Sequence, residues 1–283
     1  MNQDIVNARS LIGRALLCAA LFVPVAPGVA GAADSGYTPA VGQEGKNVIW
    51  VPTPQALVER MLTVANIRPG DFVVDLGSGD GRTVITAAKK FGARALGLEY
   101  NPDMVELSRR NAEKEGVADR AQFQRADIFA TDFSNATVVT MYLLPSLNLR
   151  LRPILLNMKP GTRVVSHAFT MDDWNPDQTE NVEGRTAYLW IVPAKVEGAW
   201  RVDAGGKTYD VDLKQRYQVL TGQAKAAGGP VQFRDGTVRG DEVTFTLVEG
   251  GVARTFIGKV VGDRLEGTAR GSNDARFTAT RNR

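Results

Sequence analysis

Seven residues, Asp75-Leu76-Gly77-Ser78-Gly79-Asp80-Gly81, constrain this chain more than any others. They follow the apolar run Phe72-Val73-Val74 and precede a segment from Arg82 that reads as a helix. Strand, glycine turn and helix in that order form the carboxyl edge of a doubly wound sheet, where ligands bind. Glycines let the backbone turn sharply and approach a ligand. The N–H groups that open the following helix face a polar or anionic group. The loop holds no lysine, so it is not a triphosphate P-loop. Its two carboxylates, Asp75 and Asp80, are awkward beside a pyrophosphate and suit a ligand that carries cationic groups. The next apolar run ends in Glu99, about two dozen residues on, where an acid can bridge ribose hydroxyls.

The chain around this loop alternates strand-like and helical stretches over residues 48–193, the mark of an α/β domain with a mostly parallel sheet. Strands are predicted at 72–75, 95–99, 121–124, 137–141 and 163–166, with a later one at 188–192. Helices are predicted at 54–65, 82–91, 102–114 and 147–158. The third starts with Asn101-Pro102, an N-cap with proline at the first helical position. From about residue 196 the composition shifts to Gly, Thr and Val in short alternating runs, as at 209–213, 232–234, 243–247 and 276–280. Gly236-Thr237-Val238-Arg239-Gly240-Asp241 is echoed by Gly258-Lys259-Val260-Val261-Gly262-Asp263. Gly-Asp suits a tight hairpin turn that needs φ > 0. A small antiparallel barrel or sandwich is expected over 196–283, behind an α/β domain at 48–195 and a flexible arm at 33–47.

Arg9 and Arg14 precede an apolar stretch at 15–29, and Ala30-Gly31-Ala32 offers a small-x-small cleavage site. These are the three parts of a secretory signal, expected over 1–32, which places the protein outside the inner membrane. Pro24 and Pro27 argue against a stable membrane-spanning helix. The alternative is an uncleaved anchor that associates the chain with a membrane and leaves its domains facing the cytoplasm. Cys18 lies in this leader and His167 is the sole histidine. Disulfides, thiolate metal sites and two-histidine chemistry are therefore excluded from the mature chain, and no metal site is expected. A formal charge of +3 without a Lys/Arg run gives no case for nucleic acid as a partner.

Three blocks together carry a family resemblance: residues 73–82, then Gly97-Leu98-Glu99-Tyr100-Asn101-Pro102, then Ala126-Asp127-Ile128. In order and spacing the chain resembles class I methyltransferases that use S-adenosyl-L-methionine (AdoMet), over residues 51–193. The resemblance implies a Rossmann-like sheet and AdoMet as cofactor. It implies that Gly77, Ser78, Gly79 and Gly81 line the methionine portion and that Asp75 helps to hold the cofactor's amino group. Glu99 would bind the ribose, Asp127 would sit beside the adenine amine, and Ile128 would pack on the ring.

Val51-Pro52-Thr53-Pro54 and the Gly79-Asp80-Gly81-Arg82 ending of the loop narrow the resemblance. Together they look like the small protein-lysine methyltransferases that modify mitochondrial ATP synthase c-subunit and adenine nucleotide translocase, and their bacterial relatives. That resemblance implies a protein partner with an exposed lysine. The segment Tyr142-Leu143-Leu144-Pro145 lacks the Asn-Pro-Pro-Tyr signature of many DNA amino-methylases, which argues against a base as acceptor. Thr53 and Tyr142 are the candidate catalytic residues at the acceptor end, with Pro52 and Leu143 as walls. His167 ends a predicted strand at the same edge, although a lone histidine is more often structural. Two alternatives stand beside this reading: methylation of a small molecule, and an exported binding protein that retains the fold without catalysis.

Overall fold

The computed structural model describes residues 36–282. The expected leader, with its export and anchor readings, lies outside the described residues. Among the described residues no helix is long and apolar enough to cross a membrane.

The alternation of the first region folds as predicted into strands and helices. The strands are β1 (Phe72–Leu76), β2 (Arg94–Glu99), β3 (Ala121–Arg125), β4 (Val138–Met141) and β5 (Arg163–His167). The helices are α1 (Gln55–Val64), α2 (Arg82–Phe91), α3 (Pro102–Lys114) and α4 (Pro145–Leu155). Asn101 caps α3 by accepting from the backbone N–H of Asp103, 2.9 Å away. Helix α4 starts two residues before the predicted position, because Pro145 occupies its first turn, where a missing N–H costs nothing.

Two further strands, β6 (Gln178–Val182) and β7 (Arg185–Ile191), complete a seven-stranded sheet in the order β3-β2-β1-β4-β5-β7-β6. Strands β1 to β5 are parallel, and β7 runs antiparallel to β5. Adjacent residues on each strand face opposite layers, as the pleat requires. Val73, Val138 and Val165 join the cluster that holds Leu57, Leu62 and Val84 of α1 and α2. Val74, Val139 and Val164 join the cluster that holds Leu151 of α4, Trp174 and Trp190.

The second region is a closed barrel, which decides between the two architectures expected from sequence. Its strands are β8 (Gly198–Ala204), β9 (Lys207–Arg216), β10 (Val219–Ala226), β11 (Gly229–Arg239), β12 (Glu242–Glu249), β13 (Val252–Val261), β14 (Arg264–Arg270) and β15 (Ala275–Arg281). Each strand pairs with the next, and β15 returns to β8 with Phe277 opposite Ala204. The echoed Gly-Asp pairs are the turns β11–β12 and β13–β14, with Gly240 and Gly262 both at φ +62. The interior is filled by side chains, as in small barrels. Trp200, Tyr209, Phe245, Phe256 and Phe277 dominate it.

Asp173 links the barrel to the α/β domain. It accepts from Arg152 of α4, from Arg216 at 2.7 Å and from Tyr217 Oη at 2.9 Å. These three partners hold its carboxyl at about 2, below the ordinary range; the largest influence is the Arg216 hydrogen bond. The Tyr217 ring stacks on Trp174 at 6.0 Å.

The arm is not loose where it is described. Gly42 N–H donates to the Trp50 carbonyl at 2.8 Å, and Trp50 N–H returns to the Gln43 carbonyl at 2.9 Å. With the Glu44–Ile49 bridge these bonds close a small hairpin.

Candidate active site

The strand order reverses between β1 and β4, so the carboxyl ends of β1, β2 and β4 open around one crevice. A cavity of about 290 Å³ occupies it, near the lower limit of small-molecule sites. The hairpin at residues 43–50 forms one wall. Thr53, Asp75, Gly77, Ser78, Gly79, Glu99, Asp127, Ile128 and Tyr142 all line the cavity. The fold thus brings nearly the whole predicted set together.

Gly81 is the exception, since it does not line the cavity. It is buried behind the loop as the left-handed residue before α2, at φ +82. A Cβ there would stand 2.7 Å from the Phe123 ring and 2.9 Å from Ser108 Cβ. Its role is to let the chain turn into the helix against α3 and β3.

Asp75 lies near the end of β1 in full burial and accepts from Thr140 Oγ1 at 2.6 Å. Burial pushes its carboxyl up to about 7; the Thr140 hydrogen bond opposes this, and the charges of Glu99 and Asp80 add to it. Glu99 ends β2 with both oxygens engaged. Oε2 accepts from Gly79 N–H at 3.0 Å and Oε1 from Asn101 N–H at 2.9 Å. Each carboxylate oxygen has a further lone pair, so a ribose hydroxyl can still donate to it. Asp127 Oδ1 accepts from Phe129 N–H at 3.0 Å, and Oδ2 pairs with Lys46 of the hairpin at 2.7 Å. Lys46 and the Phe129 amide hold the Asp127 carboxyl below its usual range. The same ammonium lies 4.4 Å from the Tyr100 ring centre.

Asp80 does not serve as a free anion for a cationic ligand, as its place in the loop suggested. Arg82 Nε and Nη2 bind its two oxygens at 3.0 and 2.6 Å. Arg82 Nη1 also donates to the Thr53 carbonyl at 2.9 Å. The two segments that narrowed the sequence resemblance are therefore one physical unit, with Arg82 tying the glycine loop to the Val51–Pro54 stretch.

At the acceptor end, Thr53 Oγ1 and His167 Nδ1 are 3.0 Å apart and buried. The Tyr142 ring lies over His167 with centroids 3.8 Å apart, and Phe169 follows at 6.2 Å. Burial pushes the His167 imidazole down to about 4, helped by the positive charge of Arg185, so the ring is neutral near pH 7. Sequence reasoning did not find Lys46, Trp50 or Phe169. The arm reads as polar loop, and nothing local signals that Trp50 Nε1 lies 2.6 Å from where a Gly79 side chain would begin.

The residues fit AdoMet by their chemistry. Asp75 places a buried carboxyl where a cationic group would favour its ionised form, and Glu99 can take hydroxyls. The buried Ser78 Oγ has no hydrogen-bond partner among the described residues. Comparison with known proteins points the same way. The model of the ANTKMT methyltransferase domain matches residues 75–178. A protein-lysine N-methyltransferase of Saccharolobus islandicus is 45% identical over 152 residues, which span 52% of this chain and 94% of that protein. The chain belongs to the class I AdoMet-dependent methyltransferases.

This methyltransferase also matches a lysine N-methyltransferase of the ATP synthase c-subunit from Xenopus laevis, at 33% identity over 59% of the chain and 68% of that protein. Among solved structures it matches one described as an RNA methyltransferase from Salinibacter ruber in complex with S-adenosyl-L-homocysteine. That match has 52% identity and a TM-score of 0.51, and it covers 52% of this chain and 96% of the other. The cofactor of the methyltransferase is AdoMet, and its family model ends at residue 178, before the barrel.

Proposed function

We propose that the enzyme is a protein-lysine N-methyltransferase that methylates an amine presented beside Thr53 and Tyr142. The observation that carries this reading is the character of the cavity and its mouth. Tyr142, Leu143 and Phe169 give an apolar and aromatic lining, with the Thr53 hydroxyl beside them. Ile49, Val51, Tyr100 and Leu144 line the same cavity and are among the exposed large hydrophobics of the described residues. An apolar rim suits a polypeptide better than a phosphate backbone, which requires unpaired cations. The names of the Saccharolobus and Xenopus relatives support a lysine acceptor. The RNA label of the Salinibacter structure is the competing reading.

When bound, AdoMet supplies a methyl group whose C–S bond breaks as the acceptor nitrogen's lone pair forms the C–N bond. The protein's part is alignment and desolvation, which remove most of the entropic cost of bringing two reactants together. In this reading Asp75 meets the cofactor's ammonium, Gly77, Ser78 and Gly79 run along its methionine portion, Glu99 takes the ribose, and Asp127 and Ile128 flank the adenine. Lys46 would then have to release or share Asp127. Incubation of a cell extract with enzyme and methyl-labelled AdoMet tests the function. Label is expected in protease-sensitive material and, after hydrolysis, on lysine. Label confined to RNase-sensitive material or to small metabolites would overturn the proposal.

The raised Asp75 carboxyl gives a pH prediction. An acid whose folded value exceeds its ordinary 3.8 holds its proton longer in the folded than in the unfolded chain. Its contribution to stability therefore falls as pH rises from about 4 to about 7. Asp75→Asn keeps an acceptor for Thr140 and removes the buried charge, so the cofactor-free protein should melt at a higher temperature at pH 8. AdoMet affinity should nevertheless fall about 10- to 100-fold there, the loss expected for one charge-assisted hydrogen bond. Wild-type affinity should rise through pH 7 as Asp75 ionises, and calorimetry should find no such rise in the variant.

A further inference from the structure

The contact between Thr53 and His167 can run in either direction, according to which ring nitrogen carries the proton. Thr53 lines the cavity, while His167 sits behind it at the end of β5 and is 3% exposed. A neutral imidazole carries one N–H and one bare nitrogen, and which is which is set by its hydrogen bonds. A hydroxyl has one proton to donate and two lone pairs with which to accept. Among the described residues, His167 Nδ1 is the hydrogen-bond partner of Thr53 Oγ1, and which of the two donates depends on the tautomer of the ring. If Nδ1 is bare, Thr53 spends its proton on His167 and turns a lone pair to the cavity. If Nδ1 carries the proton, the threonine oxygen is already receiving and its own hydrogen is free to point into the cavity. In the first arrangement both lone pairs can accept from an amine N–H and no hydroxyl proton competes for the nitrogen lone pair. In the second, one lone pair is taken and the free hydroxyl proton can bind the nitrogen lone pair that the methyl carbon needs.

We propose that His167 is a positioning residue, bare at Nδ1, that fixes the Thr53 hydroxyl as a hydrogen-bond acceptor for the incoming amine. The inference rests on the amine-acceptor reading above. Several features hold the ring for this task. The Tyr142 ring covers one face. Phe169 N–H closes back on the His167 carbonyl at 2.8 Å. Between them Ala168 sits at φ +65, a left-handed conformation that is strained for a non-glycine residue and clusters at functional sites. The low affinity of the buried ring for a second proton keeps the arrangement intact near neutral pH.

His167 is the sole histidine, so its ring nitrogens give an unambiguous signal in untagged protein labelled with 15N-histidine. At pH 7.5 the spectrum should show a neutral ring protonated at Nε2, and Thr53→Val should shift the bare Nδ1 resonance. A ring protonated at Nδ1, or an Nδ1 resonance that ignores Thr53→Val, would overturn the proposal. Kinetics give the second arm, with whichever acceptor the wild type labels. Thr53→Val and His167→Gln should each lower kcat at least tenfold while KM for AdoMet stays within twofold. Glutamine fails because it places its polar group nearer the Nε2 position. His167→Asn, which offers an oxygen near Nδ1, should keep at least a third of wild-type kcat. The double variant Thr53→Val/His167→Gln should be no slower than either single one. Additive losses, or equal losses in His167→Asn and His167→Gln with AdoMet binding intact, would count against the proposal. If the wild type labels RNA alone, the lysine reading fails while the ring spectrum still decides the state of Nδ1.

Discussion

Glu99→Ala should weaken AdoMet binding by about a hundredfold, or roughly 2.7 kcal/mol. Both oxygens of Glu99 are held by backbone amides, Gly79 N–H at 3.0 Å and Asn101 N–H at 2.9 Å. Hydrogen bonds to a charged group contribute about 1.5–3 kcal/mol each, and a buried donor left without its partner costs a similar amount. Truncation therefore acts on the site twice. It removes the group proposed to take the ribose, and it frees the Gly79 N–H, one of several ties of the loop to β2, since Gly77 and Ser78 N–H both donate to the Leu98 carbonyl. Gly79 is also held by Ser108 Oγ, which donates to its carbonyl at 2.8 Å, so the loop should survive in a looser form. Glu99→Gln retains one acceptor oxygen and should fall between the two. Titration calorimetry with AdoMet measures the series. An alanine variant within threefold of wild type would show that Glu99 is a structural tie and not a cofactor ligand.

Phe256→Ala should destabilise the barrel by about 4 kcal/mol, a large share of the roughly 5–15 kcal/mol that keeps a domain folded. The Phe256 side chain is 0% exposed. Its ring lies flat on Phe245, with centroids 4.8 Å apart and planes 4° apart. Tyr209 and Phe277 meet it edge-on at 5.9 and 5.2 Å. Such aromatic pairs add about 0.5–1.5 kcal/mol beyond burial, and truncation loses all three contacts and leaves a void. Chemical unfolding followed by far-ultraviolet circular dichroism should show the barrel transition at lower denaturant. AdoMet affinity should remain within threefold of wild type, because the described residues that line the cofactor cavity all precede the barrel in the chain. A shift below 1 kcal/mol would mean that the aromatic cluster is not the barrel's core.

Much of the α/β domain is legible locally, because β1, β2, β4 and β5 are largely apolar, β3 alternates with Ala121 and Phe123 buried, and α3 carries its Asn101-Pro102 start signal. Strand β6 is the exception. Gln178-Thr179-Glu180-Asn181-Val182 is largely solvent-facing and polar, and it lies at the sheet edge. It is a strand because β7 pairs with it across a turn in which Glu183 and Gly184 both have positive φ. Much of the cavity lining is legible for a related reason. Asp75, Gly77, Ser78, Gly79 and Glu99 lie at strand ends or in the turn that follows, where position along the chain dictates position at the sheet edge. Gly81 shares the motif but faces inward, and Asp80 shares the charge but is claimed by Arg82 two residues away. Motif membership therefore overstates which residues present a free group to the cavity.

Local pattern was enough to establish an α/β domain with a mostly parallel sheet, a glycine loop at its carboxyl edge, and a β-rich region beyond it. These follow from the period of two in strands, the capping and turn chemistry of glycine, proline and asparagine, and the alternation of element types. Closure of the barrel needed the long-range pairing of β15 with β8, which no single strand announces. The 43–50 hairpin is closed by its own backbone bonds, but its place on the cavity involves Lys46 reaching Asp127, 81 residues away. The partnership of Thr53 with His167 spans 114 residues. Contacts of this kind carry no local signature, because their stabilisation arises only once packing has brought the two groups together and excluded water from between them.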